Sequence, residues 1–221
     1  MKSNNLNANH PSYYRKGFDT WIPSFYDLFV SIALFGNQDK IREMFVNKLK
    51  EQGKRPKKIL DMATGTGDVA IKLKKAFPEA DVTGIDLSTE MLAFAKKKAD
   101  KNLLDISFIQ QNIETTTFNE GYFDAVTISL GLHEIPEENR LNTIKEAYRI
   151  LKKGGKFIIM DFNKPTNWLS RLLQNLHFIL FEPKYAKSIL TEDLIGELKT
   201  QGFREPKKEI AGMLQIVYDV K

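Results

Sequence analysis

The sequence predicts a doubly wound α/β domain: a seven-stranded sheet, mostly parallel with an antiparallel last strand, and helices on both faces. Three observations predict it. Short apolar runs alternate with helical patterns between residues 58 and 161, the rhythm of parallel strands joined by crossover helices. A glycine-rich turn follows the first of these runs. The chain then closes with one helical pattern and two strand-like runs, which builds an antiparallel edge.

Taken in order, the aromatic-rich stretch Tyr13 to Phe35 and the helically spaced Ile41, Phe45 and Leu49 form an N-terminal helical cover, residues 1–52. A core over 57–162 carries strand-like runs at Lys58 to Asp61, Asp81 to Asp86, Ile106 to Gln110, Phe123 to Ser129 and Lys156 to Asp161. Helical patterns at Val69 to Ala76, Thr89 to Ala99 and Arg140 to Leu151 separate them. An insert over 163–190 holds one amphipathic helix, Trp168 to Phe181, with Leu169, Leu172, Leu173, Leu176, Ile179 and Leu180 on its apolar stripe. The remainder, 191–221, reads as a helix from Glu192 to Thr200 capped by Thr191. Strands at Arg204 to Ile210 and Leu214 to Val220, joined at Gly212, complete it.

A chain of 221 residues, 42% of them hydrophobic, suits one such domain. It contains no cysteine, which excludes disulfides, thiolate metal sites and a cysteine nucleophile, and suits a reducing cytoplasm. No signal-peptide core opens the sequence, and no apolar run approaches the roughly 18 residues of a membrane span. The expected location is therefore cytoplasmic, with peripheral membrane contact open to a protein of net charge +5. His10, His133 and His177 lie far apart in sequence, and no metal site is expected.

The turn DMATGTGD, Asp61 to Asp68, contains Gly65, Gly67 and Ala70 in G-x-G-x-x-A spacing directly before a helix. This is the Rossmann-like fingerprint. Glycines admit a tight turn and close approach of a ligand, the helix N-terminus offers unpaired amides, and Asp86 at the next strand end can accept hydrogen bonds from ribose hydroxyls. The pattern indicates an adenosine-type cofactor and leaves open which one. A nicotinamide dinucleotide is the rival, and Tyr148 with Lys152 mimics the Tyr-x-x-x-Lys pair of short-chain dehydrogenases. That segment ends a helix in last-turn lysines and a C-cap glycine, which accounts for it without chemistry.

Five stretches resemble class I S-adenosylmethionine-dependent methyltransferases of the UbiE-like branch, which contains the ubiquinone/menaquinone C-methyltransferases. They are ILDMATGTGDVA, VTGIDLSTEMLAFAKKK, FIQQNIE, FDAVTISLGLHEIP and EAYRILKKGGKFIIMDFNKP, in that family's order from Ile59 to Pro165. The resemblance implies S-adenosylmethionine as cofactor. It places Asp61 and the backbone of Ala63, Thr64, Gly65, Thr66 and Gly67 around the methionine moiety, and Asp86 on the ribose. Leu87 and Met91 would lie against the adenine, Asn112 and Ile113 at its edge, Ser129 at the end of the fourth strand, and Tyr26 in the N-terminal cover. Ala63 stands where the family has its first glycine.

Methyl transfer needs an acceptor atom held in line with the departing sulfur and free of its proton. His133, just beyond the fourth strand, is the histidine beside the crevice where open α/β sheets bind ligands. An imidazole can remove a phenol or amine proton at neutral pH. It is the candidate catalytic residue, and the position where the sequence departs from the quinone methyltransferases. The apolar insert suits a small or lipidic acceptor, such as a quinol or a phospholipid amine. Ser129-Leu130-Gly131-Leu132 occupies the place of the tetrapeptide found in nucleic-acid amino methyltransferases, which argues against a nucleic acid acceptor. The competing functions are a nicotinamide-dependent oxidoreductase and a catalytically silent cofactor-binding protein.

Overall fold

The protein is described by a computed structural model covering residues 38–51, 55–165, 167–181 and 183–221. Tyr26 and the aromatic stretch Tyr13 to Phe35 lie outside the described residues. Helix α1, Gln38–Lys50, buries Phe45, Val46 and Leu49 against the core. Then follow β1, Lys58–Met62; α2, Asp68–Ala76; β2, Asp81–Asp86; α3, Thr89–Lys101; β3, Ser107–Gln110; and β4, Phe123–Ser129. The second half comprises α4, Glu137–Ile150; β5, Leu151–Phe162; α5, Trp168–Phe181; α6, Leu194–Thr200; β6, Lys207–Ala211; and β7, Leu214–Val220. Short 3-10 turns cover Leu132–Glu134 and Lys184–Leu190.

The strands form a single sheet in the order β3-β2-β1-β4-β5-β7-β6. Pairing from β3 through β5 is parallel, whereas β7 slots antiparallel between β5 and β6. The central strands are apolar on both faces, as a sheet covered on both sides requires: Ile59, Leu60, Val126, Ile128, Phe157, Ile158 and Ile159 are all fully buried. Strand order reverses between β1 and β4. The loops leaving those two strands therefore diverge, opening a crevice at their C-terminal ends.

Several boundaries differ from the sequence expectation for identifiable reasons. Helix α4 begins at Glu137 rather than Arg140, because Pro136 and two first-turn glutamates start a helix that carries no apolar signal. It is ended by Leu151 in extended geometry and not by a C-cap glycine. Gly154, at φ 79°, serves a bulge instead: Phe123 pairs with Leu151 and Ala125 with Lys156, so residues 152–155 loop out of β5. The cap of α6 is Asp193, whose carboxylate accepts the Gly196 amide at 3.0 Å, not Thr191. Gly196 permits this, since a Cβ there would lie 2.4 Å from the Asp193 carboxylate. Thr191 closes the preceding 3-10 turn by donating to the Ser188 carbonyl.

Helix α5 turns Gln174 and Phe178 inward, while Leu172, Leu176 and Ile179 of the expected stripe, together with Trp168, stand more than half exposed. The fully buried Arg140 pairs with Glu192 and donates its Nε to the carbonyls of Leu132 and Ile135, fixing the loop after β4. No helix among the described residues is long and apolar enough to cross a membrane.

Candidate active site

The turn after β1 brings two carboxylates to neighbouring strand ends. Asp61 is fully buried and accepts the hydroxyls of Thr64 and Thr127 at 2.7 and 2.8 Å. Burial, reinforced by the nearby Asp86, pushes its carboxyl up to about 6 even though these hydrogen bonds oppose the shift. Asp86, at the end of β2, accepts the Gly65 amide at 2.8 Å and the Ser88 amide at 3.0 Å, tying the glycine turn to the start of α3. Ser88 caps that helix through the amide of the buried Met91. Thr66 turns its hydroxyl toward α3, accepting from Lys98, which also reaches Asp68. Asn112 accepts the Glu114 amide, which fixes the bend that carries the buried Ile113.

On the other side of the crevice, Asp161 closes β5 inside the core, fully buried. One oxygen sits 2.7 Å from His133 Nδ1 and accepts the Phe162 amide, while the other accepts the amides of Leu132 and His133. His133 is buried, with Phe162 edge-on at 4.9 Å. An acid so placed fixes the proton on Nδ1 and leaves Nε2 as the basic atom. Asp161 lies in the stretch EAYRILKKGGKFIIMDFNKP but is not among the candidate site residues. The signal that could have found it is a charged residue terminating the apolar run Phe157 to Met160.

The two halves of the crevice meet at Ala63 and Gly131. Ala63 holds a left-handed φ of 53°, and a Cβ on Gly131 would lie 2.7 Å from the Ala63 Cβ. The methyl that replaces a glycine in the turn is thus accommodated by a glycine opposite. Gly131→Ala is expected to cost about 2 kcal/mol by overpacking, and adding Ala63→Gly should restore most of it while removing about 1 kcal/mol of left-handed strain. Urea titration of the two single variants and the double variant reads this coupling, and additive effects would reject the contact.

The chain matches the ubiE/COQ5 methyltransferase family over residues 12–195. It is 36% identical over 153 residues to a demethylmenaquinone methyltransferase of Thermus thermophilus, covering 69% of this chain and 68% of that one. It is 34% identical over 169 residues to a ubiquinone/menaquinone biosynthesis C-methyltransferase UbiE of Geotalea daltonii, covering 75% and 70%. The chain belongs to the ubiE/COQ5 methyltransferase family. Among solved structures it resembles in fold the Haemonchus contortus phosphoethanolamine N-methyltransferase 2 in complex with S-adenosyl-L-methionine. That likeness has a TM-score of 0.66 at 22% identity, over 91% of this chain and 46% of that one.

As a member of this family the protein is an S-adenosylmethionine-dependent methyltransferase, and the crevice of this methyltransferase fits a cationic cofactor. Gly65, at φ 53°, has no atom within 4 Å of where a Cβ would stand, so its backbone is open to a ligand. Asp61 accepts only neutral donors among the described residues, and burial pushes its carboxyl up to about 6, so a sulfonium and ammonium ligand would relieve its uncompensated charge. A diphosphate would meet Asp61 and Asp86 beside the turn, which speaks against a nicotinamide dinucleotide. Nor do Tyr148 and Lys152 form a dehydrogenase pair: Lys152 binds Asp124 at 2.6 Å, whereas the Tyr148 ring packs edge-on against Phe203.

Proposed function

We propose that the protein methylates a ring carbon of a quinol, with His133 as the base that takes the acceptor's hydroxyl proton. The buried His133–Asp161 pair, in the loop that abuts the cofactor turn at Ala63, carries this reading. The names of the Thermus and Geotalea relatives supply the substrate class. The proposed cofactor lining comprises Asp61, the backbone of Ala63, Thr64, Gly65, Thr66 and Gly67, then Asp86, Leu87, Met91, Asn112, Ile113 and Ser129. When bound, S-adenosylmethionine supplies an electrophilic methyl group on a cationic sulfur. Asp61 would hold the ammonium end and Asp86 would accept the ribose hydroxyls. His133 Nε2 removes the proton of a quinol hydroxyl while Nδ1–H stays on Asp161. The electron pair released on oxygen would make the adjacent ring carbon the nucleophile toward the methyl group, the sulfur keeping the bonding pair and leaving as a neutral thioether; loss of that carbon's own proton to water would then restore the ring as a phenolate, which takes its proton back from the His133 imidazolium. Positioning supplies much of the remaining acceleration.

A prenylated acceptor suits the exposed edge of α5. Trp168, Leu172, Leu176 and Ile179 recur on one side of the helix with Arg171 beside them, a surface matched to a lipid tail or to peripheral membrane contact. The reading is tested by supplying methyl-labelled cofactor and demethylmenaquinone held in its reduced form. Label is expected on a ring carbon, in a product resistant to ether cleavage. Label on oxygen would reject C-methylation, and no transfer to any quinol would reject the substrate class. Flotation with vesicles should retain the protein, and equal turnover of short- and long-chain quinols without flotation would remove the lipid element.

A further inference from the structure

The end of the sheet opposite the crevice carries a second cleft that the proposed reaction does not use. It has a volume of about 520 Å³ and lies at the N-terminal ends of β1 and β4, beside the bulge at residues 152–155. β1 alone separates it from the cofactor turn, a rise of about 3.3 Å per residue over five residues. Its polar wall consists of Arg55, Lys57, Lys152, Lys153 and Lys156, with Asp124 the one carboxylate among the described residues.

That carboxylate is already committed. Asp124 accepts the amides of Lys57 and Lys58 at 2.9 and 2.8 Å and the Lys152 ammonium at 2.6 Å. Among the described residues no ion pair engages Arg55, Lys57 or Lys153, all exposed at the rim. The floor holds the decisive group. Lys156 is only 8% exposed, and among the described residues its ammonium makes a single hydrogen bond, to the Lys48 carbonyl at 2.7 Å. Glu51, the carboxylate whose charge acts on it, is taken by the Lys48 ammonium at 2.8 Å, and Glu209 is taken by the same amine. A buried ammonium using one of its three donors is costly unless an anion meets it. Leu49 and Val220 line the cleft as an apolar floor beneath the cations.

We infer that this cleft is an anion-binding site for a phosphate monoester or diphosphate, seated on the Lys156 ammonium and clamped by Arg55, Lys57 and Lys153. Three exposed cations around one buried ammonium match a dianion or trianion by charge-assisted hydrogen bonding. The open backbone of the bulge, where no atom lies within 4 Å of a Gly154 Cβ, leaves room for the ligand's oxygens. The site is independent of the quinol reading, because it shares no residue with the crevice. The phosphate can be carried by a free metabolite or by an anionic lipid headgroup.

The test is calorimetric titration of the intact protein with inorganic phosphate and pyrophosphate at low salt, beside flotation on vesicles of phosphatidylcholine with and without phosphatidic acid. Pyrophosphate is expected to bind with a Kd below about 1 mM without displacing S-adenosylhomocysteine. Lys156→Met should weaken it at least about tenfold, with S-adenosylhomocysteine affinity unchanged as the check on folding. The rim variant Arg55→Ala with Lys153→Ala, which touches no core packing, should weaken it as well. Binding only to phosphatidic acid vesicles, lost in the rim variant, supports the site with a lipid headgroup as its source. No binding in either format, binding equal in all variants, displacement of S-adenosylhomocysteine, or binding of oligonucleotides alone would each overturn it.

Discussion

Asp61→Asn is expected to stabilise the ligand-free protein while removing its hold on the cofactor. The carboxyl sits near 6 in the folded state and near 3.9 when unfolded. Between those values the native chain holds the extra proton, so stability falls as pH rises through that window and the full penalty is present above it. About two units of difference correspond to a penalty of about 2–3 kcal/mol at pH 7.5. Asparagine removes it, and the Thr64 and Thr127 hydroxyls, free to rotate, can satisfy the amide in place of the carboxylate. The variant should therefore melt higher at neutral pH, with a flat profile where the wild type slopes. Calorimetry should show S-adenosylhomocysteine binding weakened on the order of 100-fold, the loss of one charge-assisted bond to the ligand's ammonium. Wild-type affinity should itself rise with pH through about 6 as the carboxylate ionises. A melting temperature below wild type at neutral pH, or unchanged affinity, would show that Asp61 serves the turn alone.

The parts of this site that were legible in the sequence are those built from local pattern. β2, β4, β7 and α5 fall where the apolar periods predicted them, and Asp86 stands at its strand end because strand, turn and helix signals coincide there. What escaped the sequence depends on long-range proximity. Gly131 reads as an ordinary loop residue until the β4 loop is brought against Ala63. Asp161 lies 28 residues from the imidazole it orients. The beginning of β5 is hidden because Lys152 to Gly155 looks like the tail of a helix, whereas pairing with Phe123 pulls Leu151 into the sheet. Thr191 is as good a cap as Asp193 by residue type, and only the bare Cα of Gly196 decides between them.

His133→Ala and Asp161→Asn should each reduce turnover by about 10²- to 10⁴-fold, the usual contribution of a positioned base, but for different reasons. The alanine variant removes the proton acceptor. It should leave S-adenosylhomocysteine affinity intact, because the imidazole lies across the crevice from the glycine turn. In the asparagine variant the amide can donate to Nδ1, which forces the proton onto Nε2 and disables the base without removing it. Asp161→Asn also disturbs the amides of Leu132, His133 and Phe162, so a lower melting temperature should accompany its loss of turnover, and His133→Ala, which empties a buried site beside Phe162 and strips the buried Asp161 of its imidazole, should melt lower too. The two lesions should not multiply: the double variant is expected to be about as slow as either single one, since the residues act as a unit. Acceptor acidity separates base catalysis from mere shaping of the pocket. A quinol bearing an electron-withdrawing ring substituent ionises without help, so its methylation by His133→Ala should approach the wild-type rate while the parent quinol stays slow. Equal impairment with both quinols would assign His133 to packing against Phe162 and take the proton transfer away from it.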